Sequence, residues 1–139
     1  MEKILSNLKT YSPTVLRIGM ALIAIWFGAQ ELLYPQMWVS YIPDSVVAFS
    51  HLNANFLVHM NGAFELVFGL ALLVGIKTRI TAFLLSIHML DITYVVGYGA
   101  LGIRDLGLAF GLIAVFMHGP SLLSFDMFKK ETSTISPVV

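Results

Sequence analysis

Cysteine is absent from all 139 residues. Within this chain that excludes disulfides, thiol redox chemistry, thiolate zinc sites and cysteine-ligated iron–sulfur clusters. Charge is nearly as scarce. Asp, Glu, Lys and Arg make up 12% of the residues, against about 25% in a typical soluble domain. Eight basic and eight acidic residues cancel to a formal net charge of zero, so there is no basic surface for nucleic acid. The five prolines fall outside the interiors of the hydrophobic runs, which argues against the broken helices of many transporters. What remains is oil: 58% of the residues are apolar and the mean hydropathy is +0.84. That leaves too little polar surface to coat a sphere in water, and the chain reads as an integral membrane protein.

A helix rises 1.5 Å per residue and the hydrocarbon core is about 30 Å thick, so a span needs roughly 20 apolar residues. Four segments qualify, at about 15–34, 56–76, 80–96 and 104–119. The expectation is an all-α, integral membrane four-helix bundle forming a single domain over 1–139, with a polar tail at about 127–139. "YPQMWVSYIPD", with its prolines and aromatic residues, suits a passage through the headgroups. "GIKTR" is long enough only for a tight hairpin, and "GYGALG" is a glycine-rich turn. The first run lacks a small-residue cleavage site and exceeds the apolar core of a signal peptide, so it reads as an uncleaved first span.

Four spans put Lys3, Lys9, Lys77, Arg79, Lys129 and Lys130 on one side, with Arg17 nearby, and leave Arg104 on the other. The positive-inside rule then places both termini in the cytoplasm, in a cell (inner) membrane.

The polar residues inside the spans gather towards the other side. Glu65 lies roughly 13 Å deep by helical rise, with Asn61 four residues and His59 six residues before it. Gln30 and Glu31 end the first span, His88 and Asp91 sit in the third, and Arg104 and Asp105 begin the fourth. Ionisable groups at membrane depth usually face the bundle interior and find a partner there. The expected arrangement is a polar pocket in the outer half, with Arg104 reaching Glu65 and Asp91. The alternative for the same residues is a salt-bridged lock between helices. Asp105 reads as a helix-start residue complementing the dipole. His59 and His88 are each lone histidines, which are more often structural than haem ligands, so b-type haem is not expected. Nor is a metal site, since a nearby arginine repels the ion. Gly62 and Gly69, and Gly107 and Gly111, read as positions where helices approach closely.

Three stretches, "LRIGMALIAIWFGAQEL", "FELVFGLALLVGIKTR" and "HGPSLLSFD", together resemble the DoxX/DoxD-like membrane proteins, small four-helix proteins of bacterial and archaeal membranes. The chain departs from that pattern at Glu31, where the family often carries lysine. Named members resemble the membrane subunit of thiosulfate:quinone oxidoreductase, so the resemblance implies quinone-linked redox work, with a sulfur compound as one donor class. On this reading Glu65, Asp91 and His88 are the proton-handling residues. Arg104, Asn61, His59, Gln30 and Glu31 form the quinone-binding set. No covalently bound cofactor is expected, and electrons would come from a redox partner subunit or an external donor. Two readings remain beside it: a non-catalytic assembly or scaffold subunit, as a homo-oligomer or within a larger complex, and a carrier for a small solute or lipid.

Overall fold

The computed structural model describes residues 1–134; residues 135–139 of the expected tail lie outside them, as does the side chain of Lys3. Four helices are long and apolar enough to cross a bilayer: α1 (Glu2–Leu33), α3 (Ala54–Val74), α4 (Thr78–Val96) and α5 (Ala100–His118). A short α2 (Asp44–Ser50) and a C-terminal α6 (Phe125–Thr134) lie outside the spans, and no strand occurs among the described residues.

The first helix is longer than its hydrophobic run, starting at Glu2 and taking Pro13 into its interior. Proline has no N–H for the carbonyl four residues back, here that of Lys9. The Ser12 hydroxyl donates to the Lys9 carbonyl instead, at 3.2 Å, so the helix continues through the proline. The start of α3 is set by Asn53, whose side-chain oxygen accepts from the Phe56 N–H at 2.7 Å, a standard N-cap. The 34–53 connection is not extended: it makes two 3-10 turns, Pro35–Met37 and Val39–Tyr41, before α2.

The spans pack as two close pairs, α1 with α3 and α4 with α5, and the pairs meet through α1–α5 and α3–α4. Glycine makes the first pair close. A Cβ on Gly28 would stand 2.6 Å from the Leu66 nitrogen, and one on Gly69 2.9 Å from Ile25. One on Gly62 would stand 2.8 Å from the Glu31 Cβ. Without a hydrophobic drive between helices in lipid, such close backbone contact is what holds them together. Gly107 departs from the sequence expectation, with nothing within 4 Å of where its Cβ would be, and Gly111 meets only the side chain of Met20. The dry core between the pairs is small and aliphatic: Ala21, Ala24, Leu72, Ala82, Leu85, Met89, Ala109, Leu112 and Val115.

The end of the bundle carrying the α3–α4 hairpin is closed by polar bonds. Gly75 turns out of α3 with φ +77, a left-handed conformation that costs a side chain strain. Arg17, 1% exposed, donates from one terminal nitrogen to the carbonyls of Leu72 and Leu73, which end α3. Its other nitrogens donate to the Ser121 hydroxyl at 3.1 Å and the Leu123 carbonyl at 3.2 Å. Asp126, at the start of α6, accepts from the Lys77 N–H at 2.9 Å, the Thr78 N–H at 2.7 Å and the Thr78 hydroxyl at 2.8 Å. The segment after α5 therefore clasps both the end of α3 and the beginning of α4. Thr14 of α1 joins the same end through the Leu122 carbonyl at 3.1 Å.

Candidate functional site

At the opposite end the four spans and the 34–53 connection enclose a cavity of about 190 Å³. An engineered apolar cavity of about 150 Å³ admits benzene, so the space is of the order that one six-membered ring needs. α1 lines it with Phe27 and Glu31, the connection with Trp38 and Tyr41, and α3 with Asn61 and Glu65. α4 contributes Met89, Asp91 and Ile92, and α5 contributes Arg104, Asp105, Leu108 and Leu112.

Four carboxyl groups line this region, three of them buried and the fourth, Asp91, exposed at its edge. Glu31 is 8% exposed, Glu65 2% and Asp105 1%. The Asn61 amide ties the first two, donating to Glu31 Oε2 at 2.7 Å and to Glu65 Oε1 at 3.4 Å. Glu31 is in electrostatic range of Glu65, Arg104 and Asp105. Asp105 is held by Arg104, whose Nε donates to Oδ1 at 2.7 Å and whose terminal nitrogen lies 2.6 Å from the same oxygen. The guanidinium also lies over the Phe27 ring, 4.1 Å from its centroid, a cation–π contact. Phe27 in turn meets Trp38 edge to face at 5.8 Å, which seats the connection on the bundle.

His88 stands behind Glu65 on the α3–α4 side. Its Nε2 is 3.6 Å from Glu65 Oε1, and its ring is 4.4 Å from the Phe64 ring. Four buried atoms of this end have no hydrogen-bond partner: Glu65 Oε2, Asp105 Oδ2, His88 Nε2 and Trp38 Nε1. Nearly all buried polar groups in folded proteins are paired with protein or ordered water, so three such atoms on one cavity wall, with His88 Nε2 behind it, mark the place where a water, a ligand or a proton completes the bonding.

The structure therefore gathers Glu65, Asn61, Glu31, Asp91 and Arg104 around one space, with His88 in contact with Glu65 but off the cavity wall. Asp91 is exposed and sits at the cavity's edge. His59 and Gln30 are not part of the lining; His59 is exposed, with Nδ1 2.7 Å from the Asn55 carbonyl. Arg104 pairs with Asp105 and not with Glu65 or Asp91. Asp105 is correspondingly not a helix-start residue, since α5 begins at Ala100 and buries it in the second turn. Sequence reasoning gave Asp105 a helix-start role and the stretch holding Trp38 and Tyr41 to the headgroups, and placed none of the three in the cavity. A signal for Asp105 was present: Gly102, Asp105, Ala109 and Leu112 form one helical stripe, and all four are buried. Among the described residues no three His, Asp or Glu side chains are grouped so as to hold a metal ion.

Residues 12–98 match the sequence profile of the DoxX family. The match covers more than half of the chain, and the chain belongs to that family. It ends before α5, so Arg104 and Asp105 lie beyond the matched stretch. No curated protein and no solved structure matches the chain.

Proposed function

From the chain's place in the DoxX family and from this cavity, we propose a membrane subunit that supports quinone-linked redox chemistry. One observation carries the reading: Glu65 and Asp105 are buried, line a ring-sized cavity and each keep one oxygen without a partner. Reduction of a quinone head takes two electrons and two protons and turns its two carbonyls into hydroxyls. The chain has no thiol or cluster ligand to carry electrons, so a redox partner subunit or an external donor supplies them. Glu65, on the cavity wall, gives or takes a proton at the head. His88, 3.6 Å behind it, passes that proton towards the α3–α4 surface. Asp91, exposed at the edge, is a second proton station. Arg104 and Asn61 position Asp105, Glu31 and Glu65. General acid–base transfer of this kind requires hydrogen-bond reach, directly or through one water, and at 3.6 Å the Glu65–His88 step takes the route through a water. Four carboxyl groups against one guanidinium make the cavity a poor seat for an anion, so a reduced sulfur compound serving as donor delivers its electrons from outside it. The lysine-rich hairpin end faces the cytoplasm and the cavity the outer half of the cell membrane.

The test is purification in mild detergent from native membranes, with mass spectrometry of the small molecules that accompany the wild type, Glu65→Gln and Arg104→Gln. A quinone retained by the wild type and lost from both folded variants supports the reading. No quinone in the wild type, or equal retention in the folded variants, returns the chain to a non-catalytic assembly subunit.

A further inference from the structure

We infer that α6 and the hairpin end form a docking surface for anionic phospholipid, which lays its acyl region on an apolar ridge of α6 and its phosphate among the neighbouring cations. The inference concerns the end of the bundle opposite the cavity and is independent of the quinone reading.

The ridge comes from "LLSFDMFKK", residues that follow the last span, which ends at His118. Exposed apolar side chains are ordinary on a span, where lipid covers them. Past the end of one they need another cover. Leu123 is 68% exposed, Phe125 53% and Phe128 57%. Phe125, Phe128 and Lys129 are three or four residues apart and share one face of α6. Asp126 and Met127 are turned inward and half-buried, so the clasp decides which face stays open. Leu123 has φ +60, a left-handed conformation that glycine holds without strain and leucine does not. The chain accepts that strain and still presents the leucine outward.

The same clasp sets the level of the ridge. The Asp126 N–H donates to the Gly75 carbonyl at 3.2 Å, just past the end of α3. Its carboxylate accepts from the Lys77 and Thr78 N–H groups at the start of α4. Both α3 and α4 are spans, so α6 begins where the hydrocarbon ends. An apolar helix face flanked by lysine at that level is the pattern of a helix seated in the headgroup boundary.

Charge selects the lipid. Lys77 and Arg79 are exposed in and after the hairpin, and Lys129 is exposed on α6 within electrostatic range of Asp126. The Arg79 guanidinium packs against Gly119 and donates to the His118 carbonyl at 3.4 Å, at the end of the last span. Asp126 already occupies the N–H groups at the start of α4. A phosphate is therefore met by the side-chain cations and not by the helix end. A phospholipid brings acyl chains for the ridge and a phosphate for the cations in one molecule, at the depth where both stand.

The test uses the full-length chain with Phe128→Cys, its sole cysteine, carrying an NBD fluorophore in phosphatidylcholine nanodiscs. Nitroxide-labelled phosphatidylglycerol or nitroxide-labelled phosphatidylcholine is added at equal mole fraction as the quencher. With each lysine near an anionic headgroup favouring it severalfold, the anionic quencher is expected to act about fivefold more effectively. Lys77→Gln combined with Lys129→Gln, confirmed folded by its melting profile, is expected to bring the two quenchers within about twofold. Salt at about 0.5 M, which shortens screening to a few ångströms, is expected to do the same. Equal quenching by the two lipids with both lysines present overturns the anionic preference. An undiminished gap in the folded lysine variant overturns the assignment of the phosphate to Lys77 and Lys129. Quenching by neither lipid overturns the docking surface altogether. Iodide then quenches the fluorophore if the ridge faces water, and fails to do so if a second copy of the chain covers it.

Discussion

The two ends of the bundle bury comparable polar chemistry and treat it in opposite ways. At the hairpin end Arg17 places four hydrogen bonds, three of them on carbonyls that no helix satisfies. Asp126 closes the first turn of α4 with three more. At the cavity end Glu65 and Asp105 are as deeply buried as Arg17, yet each leaves an oxygen unpaired. A buried charge whose bonds are complete fixes the chain in one arrangement. A buried group left incomplete beside an open space keeps bonding capacity for something else. Depth in the membrane alone does not separate scaffold from site: the hairpin end leaves one buried hydroxyl, Ser124 Oγ, without a partner, while the cavity end leaves two carboxyl oxygens so beside an open space.

The two ends are expected to meet opposite faces of the membrane. The absence of cysteine makes single-cysteine labelling clean. Ser45→Cys in α2 and Thr132→Cys in α6 report on the two ends, and both positions are exposed. In intact cells a membrane-impermeant maleimide is expected to label the first fully and the second only after permeabilisation. The reverse result inverts the topology and puts the cavity in the cytoplasmic half.

The next largest effect is on stability. Arg17→Met leaves the carbonyls of Leu72, Leu73 and Leu123 without their donor. With each orphaned buried group costing about 1–3 kcal/mol, the loss is ~3 kcal/mol or more. The variant is expected to melt far below the wild type in detergent or to fail to fold, and Arg17→Lys, with fewer donors, to fall between. A wild-type melting temperature for Arg17→Met would dissolve the distinction between the ends.

A smaller effect is expected at Asp126, with a pH signature. Burial alone would raise its carboxyl, but the bonds from Thr78 and Lys77 and the charge of Lys129 outweigh that and bring it below the ordinary carboxylate value. A depressed folded value contributes stability that is complete above the unfolded value, about 3.9, and disappears as pH falls through the folded one. Asp126→Asn removes the carboxylate cap, at about 1 kcal/mol. It is expected to melt lower at pH 7 and to lose less than the wild type on acidification below pH ~4. Parallel melting curves for the two proteins across that range would sink this account of the clasp.

How much of this was legible in the sequence follows from what lipid hides. The spans were legible because length and hydropathy are set by the bilayer, and the hairpin because "GIKTR" allows little else. Asn61 and Glu65, four residues apart, share a helix face, and the Asn61 amide contacts both Glu31 and Glu65. The inward face of each helix was harder, since a membrane helix is apolar towards lipid and core alike. So Met89 and Thr93 point inward on α4, while Asp91 three residues after His88 is exposed. Neighbouring residues on a helix rarely face each other, which hid the Arg104–Asp105 pair; the long arginine side chain curls back to make it. The weight of the Arg17 cluster was missed for another reason. Its acceptors are mostly backbone carbonyls at helix ends and in the loop after α5, and a sequence does not show those as polar.

The smallest expected effect decides most between site and scaffold. Glu65→Gln should change stability by less than ~1 kcal/mol, because surface-like tolerance is the rule where no strong bond is lost. Oε2 has no partner to lose, and the contacts of Oε1 are long, 3.4 Å to Asn61 and 3.6 Å to His88. Ligand retention, by contrast, should fall sharply. A protein selected only for rigidity gains nothing from a carboxyl group in that position, since a well-packed apolar residue would be at least as stable there. If Glu65→Gln melts as low as Arg17→Met, Glu65 is holding helices together and the cavity end is a second clasp. If it melts like the wild type and releases its ligand, the incomplete bonding of Glu65 is what the fold preserves for function.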